Sequence, residues 1–285
     1  IVYGQPEWDL WGFDHRRYGG YADKSYVHDK AIELYQNEYA IGFPIEERPA
    51  GRVRYKTALY DRLKAKGAFF GARSGWERAA FFPRNPKEAE QKLSFHRAEM
   101  AWFPAVAEEC KAGNSHVGVM DLGGFTKYWV SGKGAEAYLD RIVCGNLPKL
   151  GRVSLAYALT ERGTLLSEFT ITRMAPDRFY LLSAGSALWH DTDWLKAHLP
   201  ADGSVKLEEV SDRGSSLVLA GPQSRELLAK LTDADLSNAA FPWPSAREIT
   251  VAGKNILALR VNYVGELGWE LHVPMADLVH VYDAI

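Results

Sequence analysis

The chain has 285 residues, of which 47% are hydrophobic and 25% charged, the balance of an ordinary globular protein. Its formal net charge of −2 leaves no broad basic field to hold nucleic acid or an anionic membrane. Two cysteines cannot form a disulfide framework, and none of the eight histidines forms the i,i+4 pair that holds zinc on a helix. We therefore expect no nucleic acid, membrane or metal as a partner.

Two short helices are predicted in the first third of the chain. Apolar residues recur at helical spacing over residues 29–39 and again over 57–66, where Gly67 is suited to cap the helix end. The polar, proline-containing stretch 83–91 is the best candidate for a linker. We therefore place a domain boundary near residue 95.

Strands and helices are interspersed after this boundary, and tight turns separate several consecutive strands. This order favours an α+β fold with antiparallel pairs over a doubly wound parallel fold. Helices are predicted over 135–143, 187–199, 222–231 and from 275 onward. Strands are predicted over 116–121, 126–131, 153–159, 165–174, 179–183, 205–210, 217–220, 248–251, 256–263 and 269–273.

One pattern occurs twice in this region. Residues 130–139 and 219–228 each contain a strand end, a small residue followed by glycine, and an amphipathic helix. This repetition predicts one supersecondary unit used twice, with a cleft between two lobes. Gly132-Lys133-Gly134 in the first copy also fits a dinucleotide-binding turn, but the second copy loses the glycine spacing. We therefore interpret the turn as architectural.

Two features have side chains suited to chemistry. Glu168 lies in the middle of an alternating strand, where a carboxylate points either to solvent, the commoner case, or into a cleft. Residues 260–274 are typical of a hairpin in which Tyr263 and Glu270 would meet on one face. A carboxylate that accepts two N–H donors binds an aminopyrimidine edge, as in a pterin or guanine, and an aromatic ring packs against such a ligand.

Residues 263–270 resemble the Y-x-G-E-x-G-x-E signature of the glycine-cleavage aminomethyltransferase (T-protein) family. Residues 117–122 with 130–132 resemble the opening hairpin of that family, and 163–172 resemble its glycine turn and acidic strand. Residues 95–285 are therefore similar to its folate-binding domain in order and spacing, without the end of that domain.

Upstream motifs resemble the flavoenzyme family of dimethylglycine dehydrogenases, sarcosine dehydrogenases and dimethylglycine oxidases, which join an FAD amine-oxidase half to a folate half. These motifs lie at 14–18, 46–48, 51–52, 59–64 and 75–78. The resemblance implies a flavin-domain tail (1–44), a small central connector domain (45–94) and a tetrahydrofolate-binding domain incomplete at its C-terminus (95–285). The usual FAD-binding glycine motif is absent, so FAD is expected only in an N-terminal half outside this chain.

The resemblance also implies a reaction and its residues. The flavin half oxidises an N-methyl amine to an iminium, and the folate half captures the one-carbon unit as 5,10-methylenetetrahydrofolate. Glu168 takes the place of the family's catalytic acidic residue, usually Asp. Tyr263 and Glu270 take the places of the pterin-holding residues, and Phe125 matches a bulky apolar position near the pterin. The chain is thus expected to be part of an enzyme, with a methylated amine, folate and a flavin oxidoreductase domain as partners.

Two other functions stay open at this point. The chain would be a stand-alone folate-dependent aminomethyltransferase or demethylase if no flavin half accompanies it. It would be a non-catalytic scaffold if catalysis is lost, which Leu155 in place of a pocket tyrosine allows. The expected location is the cytoplasm of a bacterium, or the mitochondrial matrix if the source is eukaryotic.

Overall fold

The computed structural model describes residues 10–90, 93–263 and 265–285. The start of the predicted flavin-domain tail, the end of the predicted linker and one residue of the Tyr263–Glu270 motif lie outside the described residues. The α-helices are α1 (Lys24–Gln36), α2 (Tyr60–Ala65), α3 (Pro86–Ala89), α4 (Phe103–Ser115), α5 (Ala135–Ile142), α6 (Leu188–Ala197), α7 (Ser224–Leu228) and α8 (Leu278–Ala284). The strands are β1 (Phe69–Arg73), β2 (Trp76–Phe81), β3 (Gly118–Asp121), β4 (Thr126–Ser131), β5 (Val153–Leu159), β6 (Leu165–Ala175), β7 (Arg178–Ser183), β8 (Lys206–Glu209), β9 (Gly214–Ala220), β10 (Ser245–Val251), β11 (Lys254–Arg260) and β12 (Gly268–Pro274). Short 3₁₀ helices cover Trp11–Phe13, His15–Tyr21, Arg97–Glu99 and Gly185–Ala187.

Two five-stranded antiparallel sheets form the body of the protein. The strand order is β10-β11-β12-β9-β3 in sheet I and β5-β6-β7-β4-β8 in sheet II. Strands β1 and β2 form a separate antiparallel hairpin. Each pair of neighbouring strands in sheets I and II is antiparallel. The predicted α+β class with antiparallel sheets is therefore confirmed.

The two sheets have the same internal order because one unit occurs twice. Strand β4 leads through α5 into the meander β5-β6-β7, and β7 pairs with β4. Strand β9 leads through α7 into the meander β10-β11-β12, and β12 pairs with β9. The edge strands are exchanged, since β3 of the first unit pairs with β9 and β8 of the second unit pairs with β4. The structure confirms the predicted repeat. Because each sheet contains one strand from the other copy, backbone pairing links the two copies.

The glycine that follows β4 or β9 has the same geometry in both copies. Gly132 has a φ of 113° and Gly221 a φ of 128°, values that side-chain-bearing residues rarely adopt. A Cβ atom would lie 2.4 Å from the carbonyl oxygen of Ser204 at Gly132 and 2.5 Å from that of His116 at Gly221. Close backbone packing therefore requires these glycines, which supports the architectural interpretation of the turn.

Gly132→Ala is expected to lower the free energy of unfolding by more than about 3 kcal/mol, because it combines a positive φ with a backbone clash. Gly253→Ala is the matched control, since Gly253 has a φ of 77° but no atom within 4 Å of the added Cβ. The control should lose only about 1 kcal/mol. Urea unfolding measures both variants, and equal losses would contradict the packing argument.

Helices pack against the outer faces of both sheets. In β6, alternation directs Phe169 and Ile171 into a core with Tyr138 and Leu139 of α5. Fully burying each such side chain contributes about 1.5–3 kcal/mol. The core on the outer face of sheet I contains Leu59, Leu63, Leu217, Leu219, Trp269, Leu271, Leu278 and Val281.

Helix α1 differs from its prediction in position and in orientation. It begins at Lys24, because the Asp23 side chain accepts a hydrogen bond from the Tyr26 backbone N–H and caps the helix. Its protein-facing side contains an ion pair between Lys30 and Glu33, with 2.7 Å between Nζ and Oε2. Tyr35, from the predicted apolar stripe, is 79% exposed instead. The apolar stripe therefore faces away from the described part of the protein.

Sequence reasoning did not predict the β1–β2 hairpin or α4. The stretch 83–91, predicted as a linker, contains the short helix α3, in which the buried Glu88 pairs with Arg84 at 2.6 Å. The polar composition there reflects this ion pair. The core of sheet I also includes Leu59 and Leu63, which precede the predicted boundary at residue 95.

Candidate functional site

The inner faces of the two sheets meet at one apolar cluster. Val153 and Leu182 of sheet II pack there with Ala246 and Leu259 of sheet I. Directly opposed residues in an antiparallel pair project from the same face of the sheet. This rule identifies the other side chains on the inner faces, described below.

Glu168 lies on the inner face of sheet II. Thr170, two residues further along β6, is the cross-strand partner of Leu182, and Phe169 between Glu168 and Thr170 is buried in the outer core. Glu168 and Thr170 therefore lie on the same face of the strand as each other, the face opposite to Phe169. Glu168 is exposed, and within the described residues its side chain has neither a hydrogen bond nor an ion pair. The Ser167 hydroxyl donates to the buried Asp191 at 2.7 Å and anchors the strand at this point. The carboxylate is therefore free for a ligand.

Glu270 lies on the inner face of sheet I, because it is the cross-strand partner of Leu259. Trp269 and Leu271 on either side are fully buried in the outer core. The Oε2 atom of Glu270 lies 3.2 Å from Nε2 of His272, while Oε1 has no partner in the described part of the chain. One oxygen of this carboxylate is thus held by the protein and the other is available.

Tyr263 lies in the loop after β11, because the strand ends at Arg260 and not at the predicted residue 263. Its side chain is 100% exposed, so it does not pack against Glu270. The Asn262 side chain crosses this loop and donates to the Glu266 carbonyl at 2.8 Å. The predicted role of Tyr263 in holding a pterin stays a prediction.

Phe125 lies immediately before β4 and is 37% exposed. Its carbonyl oxygen accepts a hydrogen bond from Nζ of Lys127 at 3.0 Å. Lys127 is opposite Leu182 and therefore extends from the inner face of sheet II. Burial lowers the pKa of Lys127 to about 8, while acidic groups that include Asp121 and Glu270 act in the opposite direction. The inner faces of the two sheets thus bring a lysine with a lowered pKa, Lys127, together with two carboxylates, Glu168 and Glu270.

The carboxylates and the lysine on the inner faces are groups that form hydrogen bonds with a polar organic ligand. Within the described ranges, no group of three or more His, Cys, Asp or Glu residues is placed to hold a metal ion.

An apolar cavity elsewhere, between the β1–β2 hairpin and α4, is lined by residues such as Phe69, Phe81 and Trp102 and contains no predicted site residue. In the same described ranges, no helix has the length and apolar character needed to cross a membrane.

Sequence reasoning missed three inner-face residues. His272 is two positions after Glu270 on β12, so strand alternation alone would have placed both on one face. Tyr180, whose hydroxyl lies 3.2 Å from Nδ1 of His272, comes from the other sheet. No sequence signal identifies Tyr180 or Lys127 as a neighbour of Glu270.

Family profiles match two parts of the chain. The GCVT N-terminal domain profile matches residues 59–285, and the FAD dependent oxidoreductase central domain profile matches residues 3–54. In chain order, a flavin-enzyme segment therefore precedes an aminomethyltransferase-type domain, as the sequence motifs predict.

Individual relatives agree with these profiles. Human mitochondrial dimethylglycine dehydrogenase is 34% identical over the whole chain, and human mitochondrial sarcosine dehydrogenase is 30% identical. The chain spans 33% and 35% of these two relatives, about a third of their length. The crystal structure of the glycine cleavage system aminomethyltransferase T from Bartonella henselae has a TM-score of 0.65 at 24% identity, covering 81% of this chain and 56% of that chain. This likeness shows the fold.

Proposed function

The chain belongs to the GCVT family, and from this membership we propose that it is the tetrahydrofolate-binding, one-carbon-transfer part of an N-methyl amine dehydrogenase or oxidase. One observation carries the proposal: the inner faces of the two sheets each present a carboxylate with an oxygen that no described residue occupies, Glu168 and Glu270. Acceptor groups of this kind fit a reduced pterin, whose aminopyrimidine edge is rich in N–H donors.

Glu270 is the group that would bind the pterin edge. An ionised carboxylate offers about four lone-pair sites, of which His272 uses one. The remaining sites can accept the ring N–H and the exocyclic amine in parallel, which gives both orientation and specificity. Phe125 and Tyr263 supply exposed aromatic rings that are available to pack against the ligand.

Glu168 is the group that would act in the reaction. Bound tetrahydrofolate supplies the nitrogens that take the one-carbon unit from an iminium, giving 5,10-methylenetetrahydrofolate, the demethylated amine and a proton. The Glu168 carboxylate, which has no partner among the described residues, orients the reacting amine and stabilises the positive charge that develops beside it. Within the described part of the chain no cation pairs with Glu168, so its negative charge is available for this purpose.

Helix α1 is the surface that would contact a flavin oxidoreductase domain. Its outer side contains Val27, Leu34 and Tyr35, which are 55%, 58% and 79% exposed, while its inner side contains the Lys30–Glu33 ion pair. An apolar outer side on a helix marks a contact surface. The match of residues 3–54 to a flavin-enzyme domain supports a flavin domain as its occupant.

The domain limits remain proposals. We keep the flavin-domain tail at 1–44 and the connector at 45–94, with the folate domain over 95–285. The packing of Leu59 and Leu63 in the core of sheet I favours an earlier start for the folate domain.

The test supplies the full-length protein with dimethylglycine or sarcosine, an electron acceptor and tetrahydrofolate. We expect 5,10-methylenetetrahydrofolate to form in step with amine oxidation, and formaldehyde to replace it when folate is left out. Amine oxidation that never yields the folate product would contradict the one-carbon role. Absence of both amine oxidation and folate binding would instead favour the non-catalytic scaffold.

A further inference from the structure

A chain of three polar side chains connects the two sheets at the inner faces. The Tyr180 hydroxyl of β7 lies 3.2 Å from Nδ1 of His272, and Nε2 of His272 lies 3.2 Å from Oε2 of Glu270. The Tyr180 and His272 rings also meet edge to face, with centroids 5.4 Å apart. Tyr180 is 4% exposed and His272 9%, so their contacts are shielded from water.

The partners of His272 determine which ring nitrogen holds the proton. An ionised carboxylate only accepts hydrogen bonds, so Nε2 must donate to Glu270. Nδ1 then accepts from the Tyr180 hydroxyl, and a neutral imidazole satisfies both contacts. Burial and the negative charge of Glu270 raise the pKa of Tyr180 above its usual range, which keeps its hydroxyl protonated as the donor.

We propose that Tyr180 and His272 form a positioning pair that holds the Glu270 carboxylate in one orientation, with Oε1 turned to the ligand. The inference rests on the proposed function, since it assigns Glu270 to the pterin edge. A carboxylate on a flexible side chain loses rotamer freedom when it binds a ligand. The pair removes that cost beforehand, because Nε2–H already holds Oε2.

The test uses calorimetry to measure the Kd of 5-formyltetrahydrofolate for the full-length protein that contains this chain. His272→Leu is expected to weaken binding by about tenfold, the low end of the effect of groups that orient a ligand-binding side chain. His272→Gln retains a side-chain N–H near the position of Nε2 and should restore the Kd to within about threefold of wild type. Tyr180→Phe removes only the hydroxyl, and its Kd should lie between those of His272→Leu and His272→Gln.

A second ligand separates positioning from a merely structural role. The 2-desamino analogue lacks one of the two donors that Glu270 would bind, so His272→Leu should weaken its binding by only about threefold or less, a smaller loss than for 5-formyltetrahydrofolate. Equal weakening for both ligands, or no weakening for either, would overturn the positioning role. His280→Leu is the control, because His280 is exposed and its Nε2 lies 2.8 Å from the Ala252 carbonyl, away from Glu270.

The outcome for Glu270 itself distinguishes the two proposals. If Glu270→Ala binds folate as wild type does, the proposed pterin edge is wrong and the positioning role fails with it. If Glu270→Ala loses binding while His272→Leu and Tyr180→Phe do not, only the positioning role is wrong. Thermal unfolding of each variant identifies any loss of folded protein before binding is compared.

Discussion

Replacing Glu168 by Gln is expected to slow one-carbon transfer by about a hundredfold or more, while the Kd for reduced folate changes by less than about threefold. The Glu168 carboxylate extends from the inner face of sheet II with no partner among the described residues. Its negative charge can therefore stabilise the positive charge that develops on the reacting amine. Gln keeps the shape and removes the charge, so the loss should fall on the chemical step rather than on binding.

Single-turnover rapid quench with the full-length protein measures this rate at saturating folate. Glu161→Gln is the matched control, since Glu161 is an exposed carboxylate in the β5–β6 turn of the same hairpin. Its rate should stay within about twofold of wild type. A wild-type rate in Glu168→Gln would contradict the catalytic assignment, and an equal loss in both variants would point to a general effect of charge.

Replacing Glu270 by Ala is expected to weaken reduced-folate binding by at least about tenfold, since a hydrogen bond to a charged group contributes about 1.5–3 kcal/mol. Trp269 and Leu271 are fully buried on either side, so the strand should keep its place when the carboxylate is removed. The loss of a partner for His272 Nε2 should cost about 1 kcal/mol of stability. Isothermal titration and urea unfolding measure the two effects separately.

Glu266→Ala provides the comparison for this second variant. Glu266 is half-buried in the loop between β11 and β12, and its described hydrogen bond uses only the backbone carbonyl, which accepts from Asn262. Its removal should change the Kd by less than about twofold. Unchanged folate binding in Glu270→Ala would refute the assignment of the pterin edge.

Strands with a buried side were predicted well from the sequence. The predicted ranges 126–131 and 153–159 coincide with β4 and β5, because short runs that contain β-branched and aromatic residues indicate strands. The repeat of strand, glycine and helix also follows from local sequence, since a backbone of positive φ favours glycine wherever it occurs. These signals depend on neighbours close in the chain.

Helix α1 and the linker show where such signals fail. Helical periodicity indicates that a helix has an apolar side but not which surface that side will meet. The Lys30–Glu33 pair occupies the protein-facing side of α1, and the apolar side remains exposed. In the same way, polar composition over 83–91 predicts a linker, whereas Glu88 is buried through its pair with Arg84.

The sequence by itself determined the antiparallel α+β class, the repeated unit, the family and the two candidate carboxylates. Only the tertiary structure decided that the two copies exchange edge strands and that Tyr180 reaches His272, 92 residues away in the chain. Periodicity and motif spacing reflect local backbone geometry, which neighbouring residues largely determine. Contacts between distant residues depend instead on how whole sheets pack, and that packing places the residues around Glu270.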